Sequence, residues 1–434
     1  MKQAVVIGTC LILVSWGMLS AQTRKASTLS EEDLAALAKK IHERIITIDT
    51  HDDISQEFAT ERNDPGSPEN RRQVSLPKMR SGGLDAEFFA VFTGNGQRTP
   101  AAWDTAYARA IRAFEAIHRL PTMRPSEIEI AYSPADVIRI HNGGKLIACI
   151  GVENGYPLGM EISRVKEFYN RGARYITLTH SGHNQICDSS TPRPDELPEE
   201  HHGLSEYGRL VVAEMNRLGI MVDISHASKK AALDVLKFSK APIIASHSGA
   251  DAVNASPRNV DDETLLAIKN NGGVVQCVAL ASYIKTVTET PERHAAIAEL
   301  RKELGLPAGR DGSGRRQAQQ MTEEQRRQNQ EQMAKFRERM PEIDKTYPPQ
   351  KISVQDMVNH IDYMVNVMGI DHVGIGTDFD GGGGLTGFKD ASESLNVTLE
   401  LVRRGYTEEE IGKIWGGNLL RVWRAVEKTA KEMN

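Results

Sequence analysis

Eight times along this chain a short, β-rich apolar run gives way at once to polar, reactive residues. Residues 45–48 lead into Asp49-Thr50-His51-Asp52-Asp53, 86–92 into Thr93-Gly94-Asn95, and 146–150 into Gly151-Val152-Glu153-Asn154. Residues 175–178 lead into Thr179-His180-Ser181, 221–224 into Ser225-His226, and 243–245 into Ser246-His247-Ser248. Residues 274–280 precede Ala281-Ser282-Tyr283, and 373–375 precede Gly376-Thr377-Asp378. Runs apolar throughout read as strands buried on both faces, the mark of a parallel sheet. Helical periodicity fills most of the intervals, at 105–119, 161–172, 205–218, 229–238, 262–271 and 354–368. Eight βα units predict an α/β chain folded as a (β/α)8 TIM barrel, with its chemistry at the C-terminal ends of the strands. A doubly wound open sheet would gather its ligand at one switch point instead.

Composition narrows the field further. The 434 residues exceed the usual length of one domain, but α/β barrels routinely do so. With 53 Lys+Arg against 58 Asp+Glu the net charge is −5, which argues against a nucleic-acid partner. Residues 1–21, with Lys2 ahead of an apolar stretch and Ser20-Ala21 behind it, read as a secretory signal peptide cut after Ala21. The expected location is therefore outside the cytoplasm, periplasmic or secreted. The stretch is short for a membrane anchor, and no later run is long enough to span a bilayer, so no stable span is expected after cleavage. Beyond it three cysteines remain, Cys149, Cys187 and Cys277, too few for a disulfide scaffold. Cys149 and Cys277 fall in apolar runs and read as small core residues. The expected organisation is one barrel over 22–434. It carries a polar helical insertion at 301–345 and a C-terminal helix over 407–430, opened by a Thr407…Glu410 capping box. The insertion reads as a lid, a homodimer contact or a solvated hairpin.

The reactive residues form a set. Residues two apart on an extended segment point the same way, so His51 and Asp53 can face one ion. Glu153 ends the third apolar run, and His226 and His247 follow the fifth and sixth. Nitrogen ligands with a carboxylate able to bridge suit two zinc-class ions, which can share and deprotonate a water. A single His at a strand end is usually structural; five such residues, all at strand C-termini, favour a metal centre. Asp378 reads either as a turn cap or as the acid that protonates a leaving group. His180 is either a structural His or a donor to an oxyanion. Arg258 is either a surface residue or a bidentate clamp for a substrate carboxylate. His201 and His202 read as a solvated pair.

The order and number of these motifs resemble the membrane dipeptidase (renal dipeptidase) family of zinc peptidases. The matching stretches include Ile48-Asp49-Thr50-His51-Asp52-Asp53, Ser75-Leu76-Pro77-Lys78-Met79-Arg80, Gly151-Val152-Glu153-Asn154, Asp223-Ile224-Ser225-His226, Ser246-His247-Ser248 and Pro257-Arg258-Asn259-Val260-Asp261-Asp262. The resemblance implies a barrel of the metallo-dependent hydrolase type with two Zn2+ per chain bridged by Glu153. It places His51 and Asp53 on one ion and His226 and His247 on the other. It implies substrate contacts from His180 and Arg258, a proton shuttle at Asp378, and a metal-bridging hydroxide as nucleophile. The substrates would be small dipeptides, including those with a C-terminal D-residue. Two other readings remain: a barrel amidohydrolase acting on another small amide or lactone, and a non-catalytic periplasmic peptide-binding relative. Where the animal enzymes carry a substrate-facing Tyr, this chain has Leu280, with Tyr283 nearby.

Overall fold

Every one of the eight apolar runs forms a strand in the computed structural model, which describes residues 28–287, 289–306 and 323–434. The expected signal peptide lies outside the described residues. The strands are β1 (Ile48–Asp53), β2 (Ala86–Phe92), β3 (Ile128–Ile130), β4 (Leu146–Glu153), β5 (Ala173–Thr177), β6 (Met221–Asp223), β7 (Ile244–Ser248), β8 (Val274–Cys277) and β9 (Val373–Ile375). Eight of them run side by side and parallel in the order β1-β2-β4-β5-β6-β7-β8-β9. The ninth, β3, was not expected from the sequence; it pairs with the edge of β4 and stays outside the ring.

The sheet is a nearly closed (β/α)8 TIM barrel. Its first and last strands meet through the segment that follows β9. The Asp378 N–H donates to the His51 carbonyl at 3.1 Å, and the Asp53 N–H donates to the Phe379 carbonyl at 3.0 Å. This seam carries reactive residues on both sides.

The helices occupy the predicted intervals. Lys229–Phe238, Asp262–Asn271 and Val354–Met368 coincide with the periodicity, and Ser205 caps Glu206–Leu218 by accepting from the Gly208 N–H. The Thr407–Glu410 capping box is present and opens Glu408–Gly412. A π-helical turn at Lys413–Gly417 then leads into Asn418–Met433. This last helix plugs the N-terminal end of the barrel. Leu419, Val422, Trp423 and Val426 pack with the strand residues Ile48, Phe88, Cys149, Met221 and Ile244, and the Trp423 ring lies 5.9 Å from that of Phe88. The floor is therefore dry and apolar, and the open end is opposite.

Within the polar insertion, helices Pro291–Glu303 and Glu323–Thr346 pair around Leu300, Leu306 and Phe336. The ion pairs Arg339–Glu303 and Arg293–Asp344 join them. Cys149, Cys187 and Cys277 are buried and form no disulfide among the described residues. Among the described residues no helix is long and apolar enough to cross a membrane.

Candidate metal centre

β1, β4 and β7 deliver their last side chains to the open end of the barrel, and the turn after β6 adds His226. The carboxylate of Glu153 is the point of convergence. Its Oε1 lies 3.1 Å from His226 Nε2, 3.6 Å from His180 Nε2 and 3.7 Å from His247 Nε2. Its Oε2 lies 3.6 Å from His51 Nε2. His51 Nε2 is also 3.9 Å from Asp53 Oδ1. Three groups of ligand atoms form: His51, Glu153 and His247; Glu153, His180 and His226; and His51, Asp53 and Asp378. All five sequence-predicted ligands are thus brought together, with Asp378 and His180 beside them.

The surroundings aim these rings. The Tyr175 hydroxyl donates to the Thr50 carbonyl at 3.1 Å, so His51 must donate its Nδ1–H to that hydroxyl, 2.8 Å away. The Ser246 hydroxyl donates to Asp223 at 2.6 Å, and His247 Nδ1 lies 2.9 Å from the same hydroxyl. Both arrangements occupy Nδ1 and turn Nε2 towards Glu153, the atom that an ion would bind once any proton on it is displaced. Asp49 plays the matching part at β1, taking the N–H groups of His51 and Thr377. Sequence reasoning missed Asp49, Asp223 and Tyr175. A carboxylate inside a buried strand demands partners, but the sequence does not say which.

Charge and strain mark the same place. Burial works against a charged His51, but Glu153, Asp53 and Asp378 overcome it and raise its pKa to about 10. Burial, with Glu153 adding to it, raises Asp53 to about 7. Burial, reinforced by Arg258 and neighbouring imidazoles, holds His226 and His247 well below the ordinary value, so both rings are neutral at pH 7. Burial opposes ionisation of Glu153, yet the surrounding histidines hold its carboxyl well below the usual range. Burial pushes the Asp378 carboxyl well above that range, with Asp53 and Glu153 adding to it, so its surroundings favour the protonated form. His226 and Asp378 both adopt positive φ, at 67° and 62°. Such non-glycine backbone costs about 1–3 kcal/mol and persists only where the surrounding structure holds it.

The residue types fit a metal. Four imidazoles and three carboxylates converge, and among the described residues His51 Nε2 and Asp53 Oδ1 are buried without a hydrogen-bond partner. A cation between them would satisfy both.

Arg258 lines a cavity of about 210 Å3 with His226, Ser248 and Asn259. It is 5% exposed, donates to the His247 carbonyl at 3.2 Å and lies 5.3 Å from the Tyr283 ring centre. Its Nε–H has no partner among the described residues. It is therefore a buried cation at the site and not a surface arginine. His180 stacks edge-on with Phe92 at 4.9 Å, and the Phe92 ring is 39% exposed. Of the histidines read as structural, His183 bonds the Leu197 carbonyl and takes the Ser189 N–H. The pair His201-His202 is not uniformly solvated. His201 bonds the Asn184 carbonyl, while His202 is exposed beside Glu199.

Comparison with known proteins identifies the family. The sequence model of the membrane dipeptidase family, peptidase family M19, matches residues 35–434. Dipeptidase tcpJ of Claviceps purpurea is 31% identical over 362 residues, covering 82% of this chain and 70% of the relative. The crystal structure of the probable dipeptidase PvdM from Pseudomonas aeruginosa is similar with a TM-score of 0.77 at 31% identity, covering 92% of this chain and 100% of that one. A metallo peptidase from Rhodobacter sphaeroides, solved with a phosphinate mimic of the dipeptide L-Ala-D-Ala, shares the fold at 21% identity. Its TM-score is 0.67, over 88% of this chain and 99% of that one. The family match over nearly the whole chain, together with the relatives, bears out the resemblance seen in the motifs: the chain belongs to the membrane dipeptidase family, peptidase family M19, and is a metallodipeptidase, a hydrolase acting on dipeptides.

Proposed function

We propose that the chain is a two-zinc dipeptidase that accepts a D-residue at the C-terminal position of its substrate. The observation that carries this reading is the convergence of four imidazoles and two further carboxylates on and around Glu153. His51 and Asp53 would hold one ion, His226 and His247 the other, and Glu153 would touch both. Bound there, two zinc-class ions would supply an activated water and polarise the scissile carbonyl.

The remaining work belongs to the side chains. Arg258, buried with an unspent N–H, would pair with the substrate's C-terminal carboxylate. That anchor sets the reach to the reacting carbonyl and limits the substrate to short peptides. His180 stands 26% exposed between Glu153 and Phe92, placed to donate to the oxygen on which charge develops. Asp378, whose carboxyl is pushed towards its protonated form by burial, would take the proton released by the attacking water and pass it to the departing amine. Lactone or cyclic-amide substrates would leave the Arg258 donors unused.

Release of amino acids from L-Ala-L-Ala, L-Ala-D-Ala and their C-terminal amides tests the reading. Both free acids should be cleaved and the amides spared. Equal cleavage of the amides contradicts the carboxylate anchor, and failure on L-Ala-D-Ala alone contradicts D-residue tolerance. We further propose export, on the strength of residues 1–21; an N-terminus at Gln22 in protein recovered from outside the cytoplasm supports it, and an intact Met1 there contradicts cleavage.

A further inference from the structure

The turn after β9 must be held in place by something outside itself. Asp378 and Asp380 both have positive φ, at 62° and 57°, in a stretch that continues through Gly381–Gly384. On its inner side the turn covers the metal-side carboxylates. A Cβ built on Gly381 would stand 2.3 Å from Asp53 Oδ2 and 2.4 Å from Asp378 Oδ1. A displacement of this turn therefore displaces Asp378 relative to Asp53 and His51.

On its outer side the turn meets Arg72, from the segment between β1 and the next helix. Arg72 Nη2 lies 2.7 Å from Asp52 Oδ2, 2.5 Å from the Asp53 carbonyl oxygen and 2.9 Å from Asp380 Oδ2. One nitrogen thus joins the end of β1 to the turn after β9, across the barrel seam. The guanidinium carbon lies 5.1 Å from the Phe58 ring centre, and the side chain is 12% exposed. Gln73 continues the grip. Its N–H donates to Asp380 Oδ1 at 3.0 Å, its Oε1 accepts the Asp380 N–H at 2.7 Å, and its Nε2 donates to the Gly383 carbonyl at 2.8 Å.

We infer that Arg72 is a positioning residue: by clamping Asp52, the Asp53 carbonyl and Asp380 together, it sets the spacing of the Asp53 and Asp378 carboxylates at the His51 side of the centre. The inference rests on the two-metal reading above. A lysine keeps the positive charge but carries it on a shorter, more flexible stem, so Arg72→Lys separates the charge from the reach and placement of Nη2.

The test uses the full-length chain loaded with zinc, comparing wild type with Arg72→Lys, Arg72→Met and Asp380→Asn. Bound metal is counted against a graded chelator, kcat and KM are measured on L-Ala-D-Ala, and melting is followed for each protein. The expected result is that wild type holds two ions. The variants should keep one at wild-type strength, and lose the other at roughly tenfold or more lower chelator concentration. Their kcat should fall with KM nearly unchanged, because Arg258 is untouched. Wild-type metal retention and kcat in folded Arg72→Met overturn the inference. So does equal weakening of both ions in the milder Asp380→Asn variant, which would be general loosening. A wild-type chain that never binds a second ion overturns the two-metal reading, and the inference with it.

Discussion

His226 Nε2 and His247 Nε2 face one another at 3.0 Å, with Glu153 Oε1 3.1 Å from the first and 3.7 Å from the second. Two nitrogens bound at 2.0–2.1 Å to one tetrahedral ion would stand roughly 3.3 Å apart. Strands β6 and β7 are adjacent, with His226 in the turn after β6 and His247 near the end of β7, so the fold delivers this spacing without long side-chain excursions. Their depressed pKa values, caused first by burial, keep both rings in the ligating form.

Asp378→Asn should remove the proton carried to the leaving amine while preserving shape. Turnover should fall by about 10²–10⁴-fold, with the melting temperature close to wild type. Steady-state kinetics on a dipeptide, paired with circular dichroism, check this. Near-normal kcat in the folded variant would remove Asp378 from the mechanism.

Metal binding should tighten as pH rises. The pKa of Asp53 is raised to about 7, by burial first, and carboxylate neighbours raise that of His51 to about 10 against burial. Below these values protons compete with the ion for the same ligand atoms, so each ion bound must release protons. Chelator competition at pH 6, 7, 8 and 9 should give affinity that climbs across the series. A flat profile would contradict the assignment of His51 and Asp53 as ligands.

Tyr175→Phe tests the outer layer. It removes the hydroxyl that accepts from His51 and donates to the Thr50 carbonyl, and so frees the ring to turn. Metal affinity should fall about 10–100-fold, the usual cost of losing such a partner. Unchanged affinity would show that packing alone orients His51.

Gly381→Ala should damage the centre without replacing a ligand. The new methyl would meet Asp53 Oδ2 and Asp378 Oδ1 at under 2.5 Å, so the two carboxylates must separate. Metal content and kcat should both drop while the chain stays folded; wild-type values for both would mean that the turn yields instead.

Trp423→Ala tests the plug at the opposite end. The side chain is fully buried against Phe88. Denaturant unfolding should show a loss of about 3–5 kcal/mol, with the metal ligands unaffected in the folded fraction. A loss below about 1 kcal/mol would show that the helix seals the barrel without Trp423.

Much of this was legible in the sequence because the barrel writes itself as buried strands. Residues such as Ile147, Ile150 and Val152 are apolar on both faces of β4, and a reactive residue follows where the strand meets solvent. β3 escaped notice because three residues at the edge of β4 leave no such pattern. The insertion reads as uniformly polar because most of its surface is. Its small core of Leu300, Leu306 and Phe336 draws on a helix that begins at Pro291, before the charged run. Asp49, Asp223 and Arg72 were silent for a different reason. Each acts through partners far away in sequence, such as Thr377, Ser246 and Asp380, and only the closed barrel brings those together.

The measurement that bears most directly on the account is amino-acid release from L-Ala-D-Ala, taken before chelation, after chelation, and after Zn2+ is restored, with metal counted at each stage. The account predicts activity with two zinc ions per chain, its disappearance on chelation and its return with zinc. No release from protein shown to hold two zinc ions would contradict it.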